Sequence, residues 1–230
     1  MNNINAAIGT ENLEQMAEAE NYNEFLLGLA MRAGSKGRQV LDFGAGLGTF
    51  AFPISRAGIS VACVEPDAAA RAHLHDLGLE AHASLDDLQA NSLDGIYSFN
   101  VLEHVPDDGA ALSALYRCLR SGGRLIIYVP AFSCLFTAMD RRVGHLRRYR
   151  MKELSSKIQS VGFKIDRQVY VDSLGFFATL AYRMFGDPNG GINRRALRLY
   201  DRLIFPVSRR LDWILGAFFG KNLLIEAHKD

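Results

Sequence analysis

Two short stretches hold the side chains that could do chemistry. The first is VLDFGAGLGTF, Val40–Phe50, in which Asp42 precedes Gly44, Gly46 and Gly48. Glycines spaced this way let the backbone turn sharply and come nearer to a ligand than any Cβ would allow. A dinucleotide-binding loop spaces its glycines GxGxxG and turns a helix N-terminus toward a diphosphate. Here Thr49 takes the place of the third such glycine, and an acid stands ahead of the loop, which suits a positively charged ligand better. The next strand-like run closes with CVEPD, placing Glu65 at a neighbouring strand tip. A carboxylate there can accept hydrogen bonds from both hydroxyls of a ribose.

The second stretch is DRRVGHLRRYR, Asp140–Arg150, where Arg141, Arg142, Arg147, Arg148 and Arg150 crowd together. Guanidinium forks suit phosphate or carboxylate recognition, whereas an undirected charge run is a solvated face. Anion binding is the reading preferred for Arg141, Arg142, Arg147 and Arg148, because the run leaves a strand on the ligand side of the sheet. His145 in the same run suits a general base, or a donor orienting a substrate hydroxyl; its bland alternative is a loop histidine bonded to a backbone carbonyl. His104, in LEHVP, starts a turn at the pocket rim and suits a positioning role toward the substrate.

The elements that must position these residues are legible in the pattern. QVLDF, ISVACVE, LEAHA, LDGIYSF and GRLIIYVP read as strands. GTFAFPISRAG, DAAARAHLHDLG, SLDDLQA and DDGAALSALYRCLRSGG read as the helices between them, the last with Leu112, Leu115, Tyr116 and Leu119 on one face behind an Asp107 or Asp108 cap. Such alternation gives right-handed crossovers and an open parallel sheet, with ligands at the carboxyl ends of its strands. AFSCLFTAMDRRVGHLRRYR is a basic connection without clear periodicity, MKELSSKIQSVGF an amphipathic helix ended by Gly162, and FKIDRQVYV and KNLLIEAHKD two further strands. Between those strands, residues 172–220 are apolar and helical, with breaks expected at Asp187–Gly191 and at Pro206. Phe176, Phe177, Leu180 and Tyr182 cluster there, as do Leu211, Trp213, Ile214, Phe218 and Phe219. Packing of these residues as a lid is the expectation; a greasy acceptor pocket or a surface meeting a lipid-linked substrate is the sharper reading.

The totals exclude several classes. A net charge of +1 gives no global field toward nucleic acid, and no RNA-binding module is recognisable, so a nucleic-acid partner is not expected. Cys63, Cys118 and Cys134 are scattered and odd in number, without a CxxC pair, so neither a metal site nor a disulfide framework is expected, and buried reduced thiols in a cytoplasmic protein are. The N-terminal MNNINAAIGTENLEQMAEAE lacks a basic region and an apolar core and does not read as a signal peptide. No uncharged apolar run reaches the roughly eighteen residues a bilayer-spanning helix needs.

Taken in order, VLDFGAGLGTF, VACVEPD, LDGIYSFNVLEHVPDD and LYRCLRSGGRLIIYVPAF resemble the class I S-adenosylmethionine-dependent methyltransferases over Val40–Phe132. DRRVGHLRRY followed by KELSSKIQSVGF, and the terminal FGKNLLIEAHKD, resemble a bacterial subgroup of that family. The resemblance implies a Rossmann-like α/β fold: seven strands, mostly parallel with the last antiparallel, helices on both faces, and a helical insertion between the sixth and seventh. It implies one domain over residues 1–230: an N-terminal helical cap (1–38), a cofactor-binding core (39–130), a basic active-site loop (131–150) and the insertion or lid (172–220). It implies S-adenosylmethionine as cofactor and S-adenosylhomocysteine as product. Asp42, Gly44, Ala45, Gly46 and Gly48 would then serve the methionine portion, Glu65 and Pro66 the ribose, Ser84 and Leu85 the adenine, and Asn100 and Val101 the sulfonium side, with Tyr22 covering the cofactor. His145, Asp140 and Tyr149 become the catalytic candidates. The acceptor expected is a small molecule methylated at oxygen, anionic or lipid-linked, reached without a membrane span but with room for peripheral contact. A non-catalytic cofactor-binding module and a nicotinamide-dependent oxidoreductase are the rivals.

Overall fold

The computed structural model describes residues 18–35, 37–191 and 193–230. The first part of the expected cap (1–38) therefore lies outside the described residues, and the rest carries helix α1, Glu20–Ala33. The chain forms two compact units. One holds Leu26–Val129, Lys152–Gln168 and Leu224–Asp230; the other holds the described residues up to Phe25, Pro130–Met151 and Val169–Leu223.

The larger unit carries the sheet. Its elements run β1 (Gln39–Phe43), α2 (Ala51–Arg56), β2 (Ser60–Val64), α3 (Ala68–Asp76), β3 (Glu80–His82), β4 (Leu93–Phe99), α4 (Asp108–Cys118) and β5 (Leu119–Pro130). The later α6 (Met151–Ser160), β6 (Phe163–Val171) and β7 (Asn222–Lys229) complete it. The seven strands lie in the order β3-β2-β1-β4-β5-β7-β6, with the last antiparallel. β1 pairs in parallel with β2 and β4, and Asp42 sits level with Cys63 on one side and Tyr97 on the other. Strands covered on both faces read as continuous apolar runs, and all but the first residue of β1 and β2 are buried. Leu112, Leu115 and Cys118 put α4 onto the sheet, each wholly buried. A leucine buried this way contributes about 1.5–3 kcal/mol.

Two expectations about elements of this unit give way to the structure. SLDDLQA forms a single 3-10 turn, Leu85–Asp87, because Ser84 and Asp87 close a capping box on themselves and Leu88 is already extended. The helix after Asp107, the residue that caps it, stops at Cys118, not in SGG. Leu119 has already paired with Leu93, and an irregularity at Leu93/Gly95 absorbs the residues before Arg124. Leu119 and Arg120 suit a helix, but Ser121, Gly122 and Gly123 do not, and strand pairing takes over at Leu119.

The smaller unit is mainly helical. It comprises a 3-10 turn at Ser133–Leu135, α5 (Ala138–Val143), α7 (Ser173–Phe185), α8 (Arg194–Leu199), a π-helical turn (Tyr200–Ile204) and α9 (Phe205–Leu215). The break at Asp187–Gly191 is present, but Pro206 interrupts nothing: helical structure runs from Arg194 to Leu215. Pro206 sits in the first turn of α9, where a missing N–H costs nothing, directly after the wider π turn.

The aromatic clusters of this unit are only partly packed. Phe176 meets Phe132 and Phe219 edge-on or tilted, each pair of rings 5.5 Å apart. Trp213, however, is 94% exposed, and Ile214 and Phe218 stand out with it. Cys134 is exposed as well, so only Cys63 and Cys118 are the buried thiols expected.

Candidate functional site

The larger unit brings the glycine loop and Glu65 together. Gly44, Gly46 and Gly48 all take positive φ, at 83°, 53° and 81°. At Gly44 the need for glycine is doubled, because a Cβ would lie 2.3 Å from Val101 Cγ2. Val101 therefore packs against the turn. Backbone N–H groups of Gly44 and Ala45 donate to the Val64 carbonyl, at 2.8 and 3.2 Å, tying the loop to the end of β2. Glu65 closes the arrangement: Oε2 accepts from Gly46 N–H and Oε1 from Asp67 N–H, both at 2.9 Å. Each oxygen keeps acceptor capacity after one such bond, so the carboxylate is held in place and can still receive a diol.

Asp42 is 3% exposed, and its Oδ2 has no hydrogen-bond partner among the described residues. Burial pushes its carboxyl up to about 7, with the Glu65 charge adding to the rise and the Tyr97 hydroxyl and Ala51 N–H opposing it. A buried acid with an unanswered oxygen fits a cationic partner such as an amino acid ammonium. The orphaned Asp42 oxygen and the open glycine backbone thus fit the expected cofactor.

Other expected contacts are placed as follows. Asn100 adopts φ 54° and donates its N–H to the Tyr128 carbonyl at 2.8 Å, which turns the chain out of β4. Ser84 is exposed and spends its hydroxyl capping the turn that Leu85 begins; Leu85 is buried and its carbonyl accepts from Arg117 at 2.7 Å. Pro66 is exposed and its carbonyl accepts from Arg71 at 2.7 Å. His104 is exposed and ends a 3-10 turn, Leu102–His104, whose first two residues are buried. Tyr22, in the smaller unit, sets its ring edge against Phe205 and donates its N–H to Asp201.

The smaller unit holds the second cluster, and local rules build it. Thr137 caps α5 and shares a capping box with Asp140. Gly144, in left-handed conformation, ends the helix: its N–H reaches the Arg141 carbonyl and the His145 N–H reaches the Asp140 carbonyl at 2.8 Å. That pair of bonds is a Schellman cap, and it folds His145 back onto Asp140 in the first turn of the helix. The segment is closed at its base, where Ala131 bridges Tyr149, with Phe132 N–H on the Tyr149 carbonyl and Tyr149 N–H on the Pro130 carbonyl, both 2.9 Å.

At the centre Asp140 is 1% exposed. Its Oδ1 accepts from His145 Nδ1 at 2.7 Å and Arg148 Nε at 2.8 Å; its Oδ2 accepts from Thr137 N–H, Thr137 Oγ1 and Arg148 Nη2 at 2.7, 2.8 and 3.0 Å. Burial alone would raise this carboxyl, yet the bonds from His145 and Arg148, the Arg148 charge and the Thr137 N–H together hold it well below the usual carboxylate range. Facing an ionised acceptor, His145 Nδ1 carries the hydrogen, which puts the basic lone pair on Nε2.

Two members of the arginine and tyrosine set depart from expectation. Arg148 is buried, its fork spent on Asp140 and its third nitrogen on the Ala131 carbonyl, so it is not an open anion site. Tyr149 is wholly buried at the base of the loop and presents no accessible hydroxyl. Arg141 stays exposed, and Arg142 and Arg147 are half-buried. Removing Arg148 should be costly: Arg148→Ala leaves the enclosed Asp140 charge short of its main partner, a loss of about 3–5 kcal/mol for pairs of this kind. Urea unfolding should show a clearly lowered midpoint, and an unchanged one would make the pair dispensable.

Two participants were not singled out in the sequence. Thr137 could have been found from T-x-x-D, the capping-box spacing. Lys221, whose carbonyl accepts from Ala131 N–H, has an ammonium lowered by burial and by Arg148, against the raising effect of Asp172 and Asp140. Nothing in its local sequence marks it.

Comparisons with known proteins bear on the family and the fold. Residues 14–168 match a family described as "Methyltransferase domain". A ubiquinone biosynthesis O-methyltransferase of Xanthomonas oryzae pv. oryzae is 35% identical over 103 residues, which is 40% of this chain and 42% of that one. The chain thus matches about two fifths of that relative's length. Among solved structures, a SAM-dependent methyltransferase of Thermotoga maritima superposes over 100% of both chains with a TM-score of 0.66 at 18% identity. Phosphoethanolamine N-methyltransferase 2 of Haemonchus contortus, in complex with S-adenosyl-L-methionine, does so over 91% of this chain and 52% of its own, with a TM-score of 0.58 at 20% identity. The strand order, with β7 inserted between β5 and β6, also departs from the 3-2-1-4-5-6 order of nicotinamide-binding sheets. By its sheet, its glycine crevice and the family match over most of its length, the chain belongs to the class I S-adenosylmethionine-dependent methyltransferases.

Proposed function

We propose that the protein transfers the methyl group of S-adenosylmethionine to an oxygen of a small acceptor that is anionic or lipid-linked. The observation that carries the oxygen assignment is His145, whose Nδ1 is fixed on the ionised, enclosed Asp140. An amine acceptor needs no base once neutral; a hydroxyl loses a proton as it is methylated, and a histidine held in one tautomer supplies the place for it. The relative named as an O-methyltransferase supports the same choice.

The bound cofactor supplies a methyl already activated on a sulfonium, so displacement releases a neutral thioether. The chain's own residues then have three tasks. Glu65 receives the ribose hydroxyls while its bonds to Gly46 and Asp67 keep it in place; Asp42 answers the ammonium; Ser84 and Leu85 flank the adenine, and Asn100 and Val101 line the methionine side. His145 Nε2 takes the acceptor proton, and Asp140 stabilises the imidazolium that results. Arg141, Arg142 and Arg147 would meet an acidic acceptor, whereas Arg148 is committed to Asp140. Orientation of the reactants can lower the barrier by about 7–11 kcal/mol, so the largest share of the rate comes from binding geometry.

The test is methyl incorporation from isotope-labelled cofactor into a cell extract, followed by mass identification of the product. A product methylated on oxygen supports the proposal; one methylated on nitrogen or carbon overturns the oxygen assignment, and no incorporation favours a cofactor-binding module. Gly46→Val provides the matching check on the crevice. It places a branched side chain at φ 53° beside the Glu65 bond and should abolish calorimetric cofactor binding while far-UV circular dichroism stays native. Retained affinity would move the site elsewhere.

A further inference from the structure

The outward face of the long helical run from Arg194 to Leu215 is apolar where an ordinary surface helix is polar. Leu199, Leu203 and Val207 follow one another at four-residue spacing on one face, and Ile214 continues it; each is exposed by 45–70%. Trp213 is 94% exposed beside them, and Phe185, Met184 and Phe218 in the same unit are 83%, 62% and 71% exposed. Isolated exposed leucines need no explanation, but a contiguous set of large apolar side chains marks an interaction surface.

Charge identifies the occupant. Residues 172–220 contain seven arginines, no lysine and four aspartates. Three of the four aspartates are turned inward as helix caps. Asp201 accepts from Asn21 N–H and Tyr22 N–H at 2.9 Å each, closing the start of α1. Asp212 accepts from Asp172 N–H and Ser173 N–H at 2.9 and 2.8 Å, and Asp172 accepts from Gly175 N–H at 3.1 Å, closing the start of α7. Those three acids are buried and Asp187 stays exposed in the break before α8, while Arg195, Arg202 and Arg210 stand exposed on the run that carries Leu203 and Trp213. Aromatic and leucine side chains with arginines beside them, and acids withdrawn, form the surface that settles into the headgroup boundary of an anionic bilayer. A second copy of the chain would bring the same arginines against one another, and a cationic rim does not complement itself.

We propose that this face docks the protein on the surface of an anionic phospholipid bilayer, inserting Trp213, Ile214 and the Leu199–Leu203–Val207 ridge at headgroup depth. No helix among the described residues is long and apolar enough to cross a membrane, and none is required for docking of this kind. The proposal joins the lipid-linked half of the functional reading but is read out without turnover, so either can fail alone.

Trp213 is the single tryptophan of the chain, which makes its fluorescence a direct probe. The full chain is titrated with vesicles of phosphatidylcholine alone and of phosphatidylcholine with phosphatidylglycerol, with emission and sedimentation followed together. Vesicles containing phosphatidylglycerol should shift the emission to the blue and carry the protein into the pellet, more weakly as salt rises. Reversal of Arg195, Arg202 and Arg210 to glutamate should lower the partition coefficient more than tenfold, and Trp213→Ser with Ile214→Ser should do so in the sedimentation assay. All five side chains are exposed, so cofactor affinity should stay as in the parent protein. No shift and no sedimentation with anionic vesicles would overturn the proposal. So would equal binding to neutral vesicles, or a concentration-dependent dimer that Trp213→Ser dissolves.

Discussion

His145→Ala is expected to lower methyl transfer by about 10²–10⁴-fold, the range found when a positioned general base is removed, with cofactor affinity unchanged by calorimetry. The separation of the two effects is the substance of the prediction. His145 and Asp140 belong to one compact unit, whereas Glu65, Asp42 and the glycine loop belong to the other. Asp140→Asn should approach the same loss by a different route. An amide can present its N–H to Nδ1 and so favour the tautomer with the proton on Nε2, which cannot then accept another. Because Asp140 also holds Arg148 and Thr137, that variant should melt earlier, and its activity is to be compared well below the transition. Full activity in His145→Ala at every pH would remove the base and leave positioning as the whole of catalysis.

Asp42→Asn should separate stability from binding. The Asp42 carboxyl rises from an ordinary 3.8 to about 7 in the folded chain, chiefly through burial. A carboxyl raised in this way favours the folded state while it is protonated. That contribution is fully present below about 4 and is lost as pH climbs through about 7, since the unfolded chain releases the proton first. Asparagine never ionises, so the variant escapes the loss. The melting temperature of Asp42→Asn should draw ahead of the parent between pH 4 and about 7 and keep its lead above that, by about 2–4 °C per kcal/mol in a chain of this size. Cofactor affinity should move the other way. A hydrogen bond to a charged group contributes about 1.5–3 kcal/mol, so its loss should weaken binding by roughly 10- to 100-fold at pH 8. In the parent, binding near pH 7 should release a fraction of a proton, visible as a heat that depends on the buffer. Equal melting curves at pH 5 and pH 8 for the two proteins, with equal affinities, would return Asp42 to a neutral core residue.

Much of the crevice was legible in the sequence because its parts are local. Positive φ at Gly44, Gly46 and Gly48 follows from residue type, the strand ends follow from apolar runs, and β4 and β6 agree with LDGIYSF and FKIDRQVYV residue for residue. The Asp107 cap is equally local. Two of the failures were decided by a distant partner. Leu119 left a helical pattern because Leu93, across the sheet, offered a strand to pair with. Arg148 resembled its neighbours in a basic run and differed only because the chain folded it onto Asp140.

Residue order alone fixed the strand and helix succession, the glycine turn and the acid at each of the first two strand tips, since each rests on backbone freedom or periodicity within a few residues. Tertiary structure alone decided which charges are spent and which are offered. Five hydrogen bonds enclosing Asp140, and caps withdrawing Asp172, Asp201 and Asp212, depend on groups brought together by folding. The same holds for the apolar ridge at Leu199, Leu203 and Val207, because periodicity marks a helix face as greasy but not whether the fold covers it.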